Sequence, residues 1–290
     1  MNTKLSKDLV YPLYNVSLSL TERLILKLGG PIKCPVCGRL AKLTIASGSL
    51  RENCICNNCH SINRQRQIAY VITKRMGLRS INDLAKLDDF VVYNTESSGA
   101  LHSRLLQLNN YLFSEFFGSN HKSGDMVNSI MHQDLMALSF KDESVDLVIS
   151  SDVFEHVSDP YKAHEEIYRV LKLGGKHVFT VPFYLMDYLD ENRAQMDLGG
   201  EVTHLKEPMY HEDPVREKEG ALVFNIFALE MIVKLAKIGF RTNMYKLNAP
   251  LNGIFAFDAI VFEAIKEASQ DNYISLDEAQ KHEKFWNIRK

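Results

Sequence analysis

The stretch from Asp146 to Pro182 constrains the fold more than any other part of this chain. It opens with a buried apolar run, Leu147 to Ile149, and polar residues follow where a parallel sheet would present its carboxyl edge to a ligand. An amphipathic helix is predicted next, with Pro160 in its first turn and Gly174-Gly175 at its end. The run from Val178 to Val181 returns as a strand. The stretch therefore predicts a strand, a helix and a second strand of one parallel sheet.

Segments on either side of this stretch continue the alternation of strands and helices. The chain has 290 residues, of which 46% are apolar, so it can bury the core of one large domain and a smaller module. Further strands are predicted at 90–93, 111–115 and 254–263, with helices at 99–108 and 227–238. This alternation indicates an α/β, doubly wound sheet with right-handed crossovers.

Four of the five cysteines form two C-x-x-C pairs, Cys34 with Cys37 and Cys56 with Cys59. Two such knuckles supply the four thiolates of a tetrahedral structural zinc site, so we predict a small zinc ribbon. Cys54 alternates with Cys56 along a strand-like segment and is expected to face away from the metal. Replacement of one cysteine ligand by His60 is the weaker alternative.

Charge and N-terminal composition bear on partners and compartment. The formal net charge is -2, which gives no global positive field toward nucleic acid or an anionic membrane. Cations cluster in the helix predicted at 61–76; a solvated or ion-paired face is favoured over a nucleic-acid surface. The stretch 9–28 is interrupted by polar residues, so we expect neither a signal peptide nor a membrane span, and a cytoplasmic location.

The stretch from Asp146 to Pro182 resembles the second half of class I S-adenosylmethionine-dependent methyltransferases of the type 11 group. Its matching pieces are the strand 146–149, the loop Phe154-Glu155-His156-Val157, the helical segment 166–172 and Gly174-Gly175. The resemblance implies a Rossmann-like, seven-stranded sheet with an antiparallel last strand. It also implies S-adenosyl-L-methionine as the cofactor, beside the structural Zn2+ predicted for the ribbon.

The resemblance assigns cofactor contacts to two neighbouring loops. After the first strand the family carries a glycine-rich loop, and of its glycines this chain keeps Gly99. Glu96 could bind the cofactor ammonium there, and the small side chain of Ser97 leaves room for the ligand. Glu115, at the end of the second strand, has the position and chemistry to accept hydrogen bonds from the ribose hydroxyls.

The remaining site residues follow later strands. By resemblance, Asp134 would receive the adenine amino group and the backbone amide of Leu135 would meet a ring nitrogen. Ser151 follows the fourth strand and is expected to line the cofactor site. His156 is the candidate catalytic residue, either as a general base toward a hydroxyl acceptor or in a structural or binding role.

The insertion 182–227 is the predicted acceptor side, because it is long, polar and aromatic. Its segment 207–214 resembles one in zinc-ribbon-bearing bacterial methyltransferases encoded near surface-polysaccharide genes, which implies a glycan or another small-molecule acceptor. His204, His211 and Asp213 could form a second metal site, although a solvated substrate loop is favoured.

The expected organisation is an N-terminal helical segment 1–30, a zinc ribbon with its linking helix 31–80, a methyltransferase domain 81–265 and a C-terminal tail 266–290. The favoured function is a methyltransferase acting on a small polar or carbohydrate-like acceptor. The alternatives are a zinc-ribbon RNA methyltransferase and a non-catalytic scaffold that has lost its cofactor. Nucleic acid is the less expected partner, since the net charge is near neutral.

Overall fold

The computed structural model describes residues 20–44, 50–197, 199–211, 220–255 and 259–267. The first part of the predicted N-terminal segment and nearly all of the C-terminal tail lie outside these residues. Within them, no helix has both the length and the apolar content needed to cross a bilayer. The α-helices are α1 (Leu20–Leu28), α2 (Asn63–Met76), α3 (Gly99–Leu105), α4 (Pro160–Val170) and α5 (Leu229–Ile238).

Short strands form the ribbon and the insertion, and longer strands form the central sheet. In the ribbon these are β1 (Ile32–Lys33), β2 (Leu40–Ala41), β3 (Leu43–Thr44) and β4 (Ile55–Cys56). The sheet begins with β5 (Val92–Asn94), β6 (Tyr111–Glu115), β7 (Met126–Val127), β8 (Ile130–His132), β9 (Val145–Ser151) and β10 (Leu171–Thr180). The insertion contributes β11 (Glu191–Asn192), β12 (Ala194–Met196), β13 (Val202–His204), β14 (Tyr210–His211), β15 (Ala221–Leu222) and β16 (Asn225–Ile226). The sheet ends with β17 (Phe240–Lys246) and β18 (Ile260–Lys266).

The central sheet has the order β17-β18-β10-β9-β5-β6-β8-β7. Strands β10, β9, β5, β6 and β8 are parallel, and β18 runs antiparallel between β10 and β17. This confirms the predicted doubly wound fold and its antiparallel last strand. The sheet has eight strands and not seven, because β7 forms an antiparallel hairpin with β8 at the edge.

Alternating side chains divide the core between the two faces of the sheet. Leu147 and Ile149 of β9 belong to a buried cluster with Ile68 of α2, whereas Val148 belongs to a second cluster with Ile167 of α4. The first cluster also contains the ribbon cysteines. The helix that follows the ribbon therefore covers one face of the sheet, and α4 and α5 cover the other.

The predicted helix end at Gly174-Gly175 is wrong. Helix α4 ends at Val170, and the chain enters β10 in the next residue. The pairing of β10 with β9 shifts register between Leu171 and Lys176, and Gly174 has a φ of 79° inside that irregular part. A Cβ atom at Gly175 would lie 2.7 Å from a backbone carbonyl oxygen. The glycine pair thus permits a bulge in a strand.

Arg64 and Arg75 of α2 are ion-paired as predicted, but Arg66 is fully buried. Its Nε donates to the carbonyl of Gly253 at 2.9 Å, and its Nη2 donates to that of Cys54 at 2.6 Å. Nη1 donates to the carbonyl of Ser61. A single guanidinium therefore satisfies buried carbonyls of the ribbon and of the segment leading to β18, since its several donors point in fixed directions.

We expect Arg66→Met to lower the free energy of unfolding by about 3 kcal/mol or more, because it leaves several buried carbonyls unpaired. Denaturant unfolding followed by circular dichroism measures this change. Lys74→Met removes a cation from an exposed position of the same helix and serves as the matched control, expected within about 0.5 kcal/mol of the parent. Equal stabilities for the two variants would contradict this role of Arg66.

Candidate functional site

The four cysteines predicted to bind zinc come together in the structure. The sulfur atoms of Cys34, Cys37, Cys56 and Cys59 all lie within 4.8 Å of one another, and those of Cys34 and Cys59 are 3.7 Å apart. Four thiolates at tetrahedral Zn–S distances of about 2.3 Å would be separated by about 3.8 Å. The donor set therefore fits a structural zinc ion.

The two knuckles share one backbone geometry. The amide of Gly38 donates to the carbonyl of Cys34, and that of His60 donates to the carbonyl of Cys56, both at 2.8 Å. Gly38 and His60 have positive φ angles of 73° and 58°. His60 is thus the turn residue of the second knuckle and lies outside the clustered ligand atoms. Cys54, also buried, lies outside the cluster as expected.

The loops after β5 and β6 meet at the carboxyl edge of the sheet. Glu115 Oε1 accepts hydrogen bonds from the backbone amide of Ser97 at 2.8 Å and from its hydroxyl at 2.9 Å. Gly99 begins α3 with a φ of 81°, and a Cβ atom there would lie 2.5 Å from Nε2 of Gln65. Glycine is therefore favoured at 99 by its backbone conformation, whereas the Gln65 side chain of α2 could move to admit a Cβ atom.

Glu96 of this loop is partly buried, and its surroundings change its acidity. Burial raises the pKa of Glu96 to about 7; Arg64 opposes the rise and Glu115 adds to it. The carboxyl group therefore changes its protonation near neutral pH. A cation placed beside it would favour the ionised form.

Asp134 and Leu135 follow β8, which lies next to β6 in the sheet. One carboxylate oxygen of Asp134 accepts from the amide of Met136 at 2.9 Å, and its own amide donates to the hydroxyl of Ser123 at 2.9 Å. Leu135 is buried beneath this turn. The turn is thus held in place at the same edge of the sheet as Glu115.

Arg64 contacts Ser151, the residue that the sequence analysis assigned to the cofactor site. Its Nη1 donates to the Ser151 carbonyl at 2.7 Å and also to the Ser151 hydroxyl. Arg64 further pairs with Glu52, with a distance of 3.0 Å from Nε to Oε1. The sequence had marked Arg64 only as one cation of the helix after the ribbon, so its contact with the end of β9 was missed.

Asp152 joins the ribbon to the loop after β9. Arg51 donates to both of its carboxylate oxygens, with a distance of 2.7 Å from Nη2 to Oδ1, and Arg64 Nε lies 3.5 Å from Oδ2. Thr180 also donates to Oδ1 at 2.8 Å. Burial alone would raise the pKa of Asp152, but Arg51 and Arg64 outweigh it and hold that pKa well below its usual range. This ionic cluster was not predicted from the sequence.

His156 ends the 3-10 turn Phe154–His156 after β9, where the insertion packs against it. Phe154 is buried and stacks on His164 with ring centroids 4.2 Å apart, which anchors the turn. The Nδ1 atom of His156 donates to the carbonyl of Leu222 at 2.8 Å. Since a carbonyl can only accept, the Nε2 atom of neutral His156 carries the lone pair.

The less favoured second metal site, with His204, His211 and Asp213, is not found among the described residues. His211 lies beside His156, with 3.2 Å between His211 Nδ1 and His156 Nε2. His204 is exposed on β13 and belongs to none of the clusters of ligating atoms found among the described residues. Asp213 lies outside those residues.

Comparisons with known proteins agree with this architecture. Residues 113–179 match a family model described as a methyltransferase domain. An uncharacterized methyltransferase of Mycobacterium tuberculosis is 33% identical over 96 residues, which cover 33% of this chain and 38% of that protein. One from Mycobacterium marinum is 31% identical over 114 residues, covering 39% and 44%. The chain thus spans less than half the length of these curated relatives.

A solved S-adenosylmethionine-dependent methyltransferase from Mesorhizobium loti aligns with a TM-score of 0.38 and 14% identity, covering 63% of this chain and 94% of that one. Together, the strand order and the matched segment define an α/β methyltransferase fold.

We expect the purified chain to contain about one zinc ion, and Cys56→Ser to lose that ion together with ribbon structure, because metal binding and ribbon folding are coupled. Elemental analysis and circular dichroism measure the two losses. Cys54→Ser is the matched control, since Cys54 is buried in the same module but lies outside the cluster. A Cys56→Ser protein with the same zinc content as the parent would refute the assignment.

Proposed function

We propose that this chain is an S-adenosylmethionine-dependent methyltransferase with a structural zinc ribbon. The supporting observation is the convergence of polar groups at one sheet edge, where Glu115 on β6 holds Ser97 in the loop after β5. The loop with Glu155 and His156 follows β9, which pairs with β5 on its other side. In open α/β sheets, ligands bind where the carboxyl ends of neighbouring parallel strands meet.

The proposed cofactor contacts are divided among three loops. Glu96 binds the methionine ammonium, and Ser97 and Gly99 leave space beside it. Glu115 accepts the ribose hydroxyls. Asp134 and the amide of Leu135 meet the adenine ring. Ser151 contributes by holding Arg64 at the edge of the site, since both its carbonyl and its hydroxyl accept from this guanidinium.

The bound cofactor would supply a methyl group on a positively charged sulfur. The acceptor would bond to the methyl carbon in line, and the sulfur would leave as a neutral sulfide. The protein has to align the acceptor with this carbon and exclude water from it. The buried Phe154 turn and the insertion packed on it suit both tasks. His156 would orient the acceptor or take up its proton.

The acceptor in this proposal is small and polar, with a carbohydrate-like compound as the favoured class. A cavity of about 430 Å³ supports it, lined mainly by polar side chains where the loop after β9 (Ser158) meets the insertion (Asn225), although none of the predicted site residues lines it. Its other polar lining residues are Asp159, Tyr161, Asp190, Asn192, Gln195 and Lys234. Hydroxyl-rich ligands are held by such convergent polar groups. A role in surface-polysaccharide synthesis is a further part of this proposal.

An RNA acceptor is the second candidate, and the internal arginines weigh against it. Arg64 and Arg66 bind groups inside the protein, and Arg75 pairs with the buried Glu263 at 3.1 Å. They therefore contribute little to a phosphate-binding surface. A scaffold without cofactor is the third candidate, and cofactor titration separates it from an enzyme.

We expect Glu115→Gln to weaken binding of S-adenosylmethionine and of its demethylated product about tenfold or more, because charge-assisted hydrogen bonds to the ribose are lost. Isothermal titration calorimetry measures the affinities. Glu165→Gln, an exposed glutamate on α4, is the matched control and should bind like the parent. Unchanged affinity in a folded Glu115→Gln protein would reject the ribose assignment, and absence of binding by the parent would favour the scaffold.

Glu96 makes cofactor binding depend on pH. With its pKa raised to about 7, Glu96 is largely protonated below that pH, and the cofactor ammonium should lower the pKa again. Binding should therefore release protons at about pH 6.5, and the release should fade above about pH 8, where Glu96 is already ionised. Calorimetry in buffers of different ionisation enthalpy measures this release. Glu96→Gln should abolish it; the same release from this variant would contradict the ammonium contact.

A further inference from the structure

Glu155, His156 and His211 form a second cluster of metal-ligating atoms, apart from the cysteines. Nδ1 of His211 lies 3.2 Å from Nε2 of His156, and these two atoms lie 3.6 and 3.7 Å from Oε1 of Glu155. At these separations one point lies about 2.1 Å from all three atoms, which is the usual bond length of Zn2+ to imidazole nitrogen or carboxylate oxygen. The triangle is therefore the right size for one metal ion.

The carboxylate of Glu155 needs a positive partner. Its side chain is fully buried, and within the described part of the chain neither of its oxygens has a hydrogen-bond partner. Glu263 is equally buried but accepts from Tyr245 at 2.7 Å and from Asn243 at 2.9 Å, and it pairs with Arg75. Burying a carboxylate without such partners is costly. Glu155 thus has the environment of a ligand whose cation comes from outside the chain.

The orientation of His156 agrees with ligation. Its Nδ1 donates to the carbonyl of Leu222, which directs the Nε2 lone pair toward the cluster. Metal-bound histidines typically donate their other ring N–H to such an acceptor. A hydrogen bond from His211 Nδ1 to His156 Nε2 would satisfy both imidazoles but leave Glu155 unpaired. An ion at the common point engages all three residues.

We propose that Glu155 Oε1, His156 Nε2 and His211 Nδ1 bind a divalent transition-metal ion. Two imidazoles and one carboxylate suit zinc, manganese, iron(II) or cobalt better than magnesium or calcium, which prefer oxygen ligands. The side chain of His211 is 35% exposed and that of Glu155 is fully buried, so the open coordination positions face the His211 side.

This site changes the role of His156. With Nε2 bonded to the ion and Nδ1 bonded to Leu222, His156 is a ligand and has no ring nitrogen left to take up a proton. An oxygen of the acceptor would complete the coordination of the ion. This point alone rests on the proposed methyl transfer. The metal site itself does not depend on cofactor binding.

The test is titration of the full-length protein, purified with one zinc ion per chain, with Co2+ in the absence of cofactor. We expect one cobalt ion per chain in addition to the ribbon zinc by elemental analysis. Its visible absorption should lack the strong sulfur-to-cobalt bands of a thiolate site. Glu155→Gln and His211→Ala should each weaken cobalt binding about tenfold or more while the zinc content stays unchanged. Cobalt should raise the melting temperature of the parent but not that of His211→Ala.

His204→Ala is the matched control, because it removes an exposed histidine of the same insertion. It should bind cobalt like the parent. A parent that takes up no ion beyond the ribbon zinc, or a His211→Ala protein that binds cobalt as tightly as the parent, would overturn the site. Cofactor titration is a separate measurement, so cobalt binding without cofactor binding would sink the proposed function alone, and the reverse result would sink the metal site alone.

Discussion

The first turns of α2 join the cysteine cluster to the ligand-facing edge of the sheet. Arg66 holds carbonyls of the ribbon, and Arg64, two residues earlier, reaches Ser151 and Asp152. A helix rotates by about 100° per residue, so side chains two positions apart point to nearly opposite sides. Because Arg66 binds the carbonyls of Cys54 and Ser61, which flank the second knuckle, folding of the ribbon helps to place Arg64. The ribbon is therefore part of the construction of the site.

Periodicity identified buried segments more reliably than it identified hydrogen-bonded ones. Strand β6 occupies 111–115 as predicted, because its apolar run coincides with a strand that pairs with β5 and β8. The last strand was predicted at 254–263 but β18 begins at Ile260. Ile254 and Phe255 are fully buried, yet Ile254 pairs only in an isolated bridge to Ala249. Apolar composition reports burial, and burial also occurs in segments that connect strands.

The parts of the site that follow from sheet topology were predictable, and those that depend on long-range pairing were not. Carboxyl ends of adjacent parallel strands must lie together, which is why Glu115 was expected near the loop with Ser97. Arg51 and Asp152 are 101 positions apart, and His156 and His211 are 55 apart. No local pattern in a single sequence records such pairs. Arginines near the start of the helix after the ribbon were the available signal, but composition alone did not show which way they point.

The insertion is attached to the loop after β9 through its backbone and through the side chains of Asn225 and His211. The amide of Phe224 donates to the carbonyl of Glu155 at 2.7 Å, and the carbonyl of Leu222 accepts from His156. Backbone hydrogen bonds of this kind do not depend on which side chains the insertion carries. Substitutions at Asn192 or Gln195 change the lining of the neighbouring cavity and leave these hydrogen bonds in place, whereas Asn225 lines the cavity and also donates to the carbonyl of Val157. In the proposed function, the side chains of the insertion that line this cavity would therefore set acceptor selectivity.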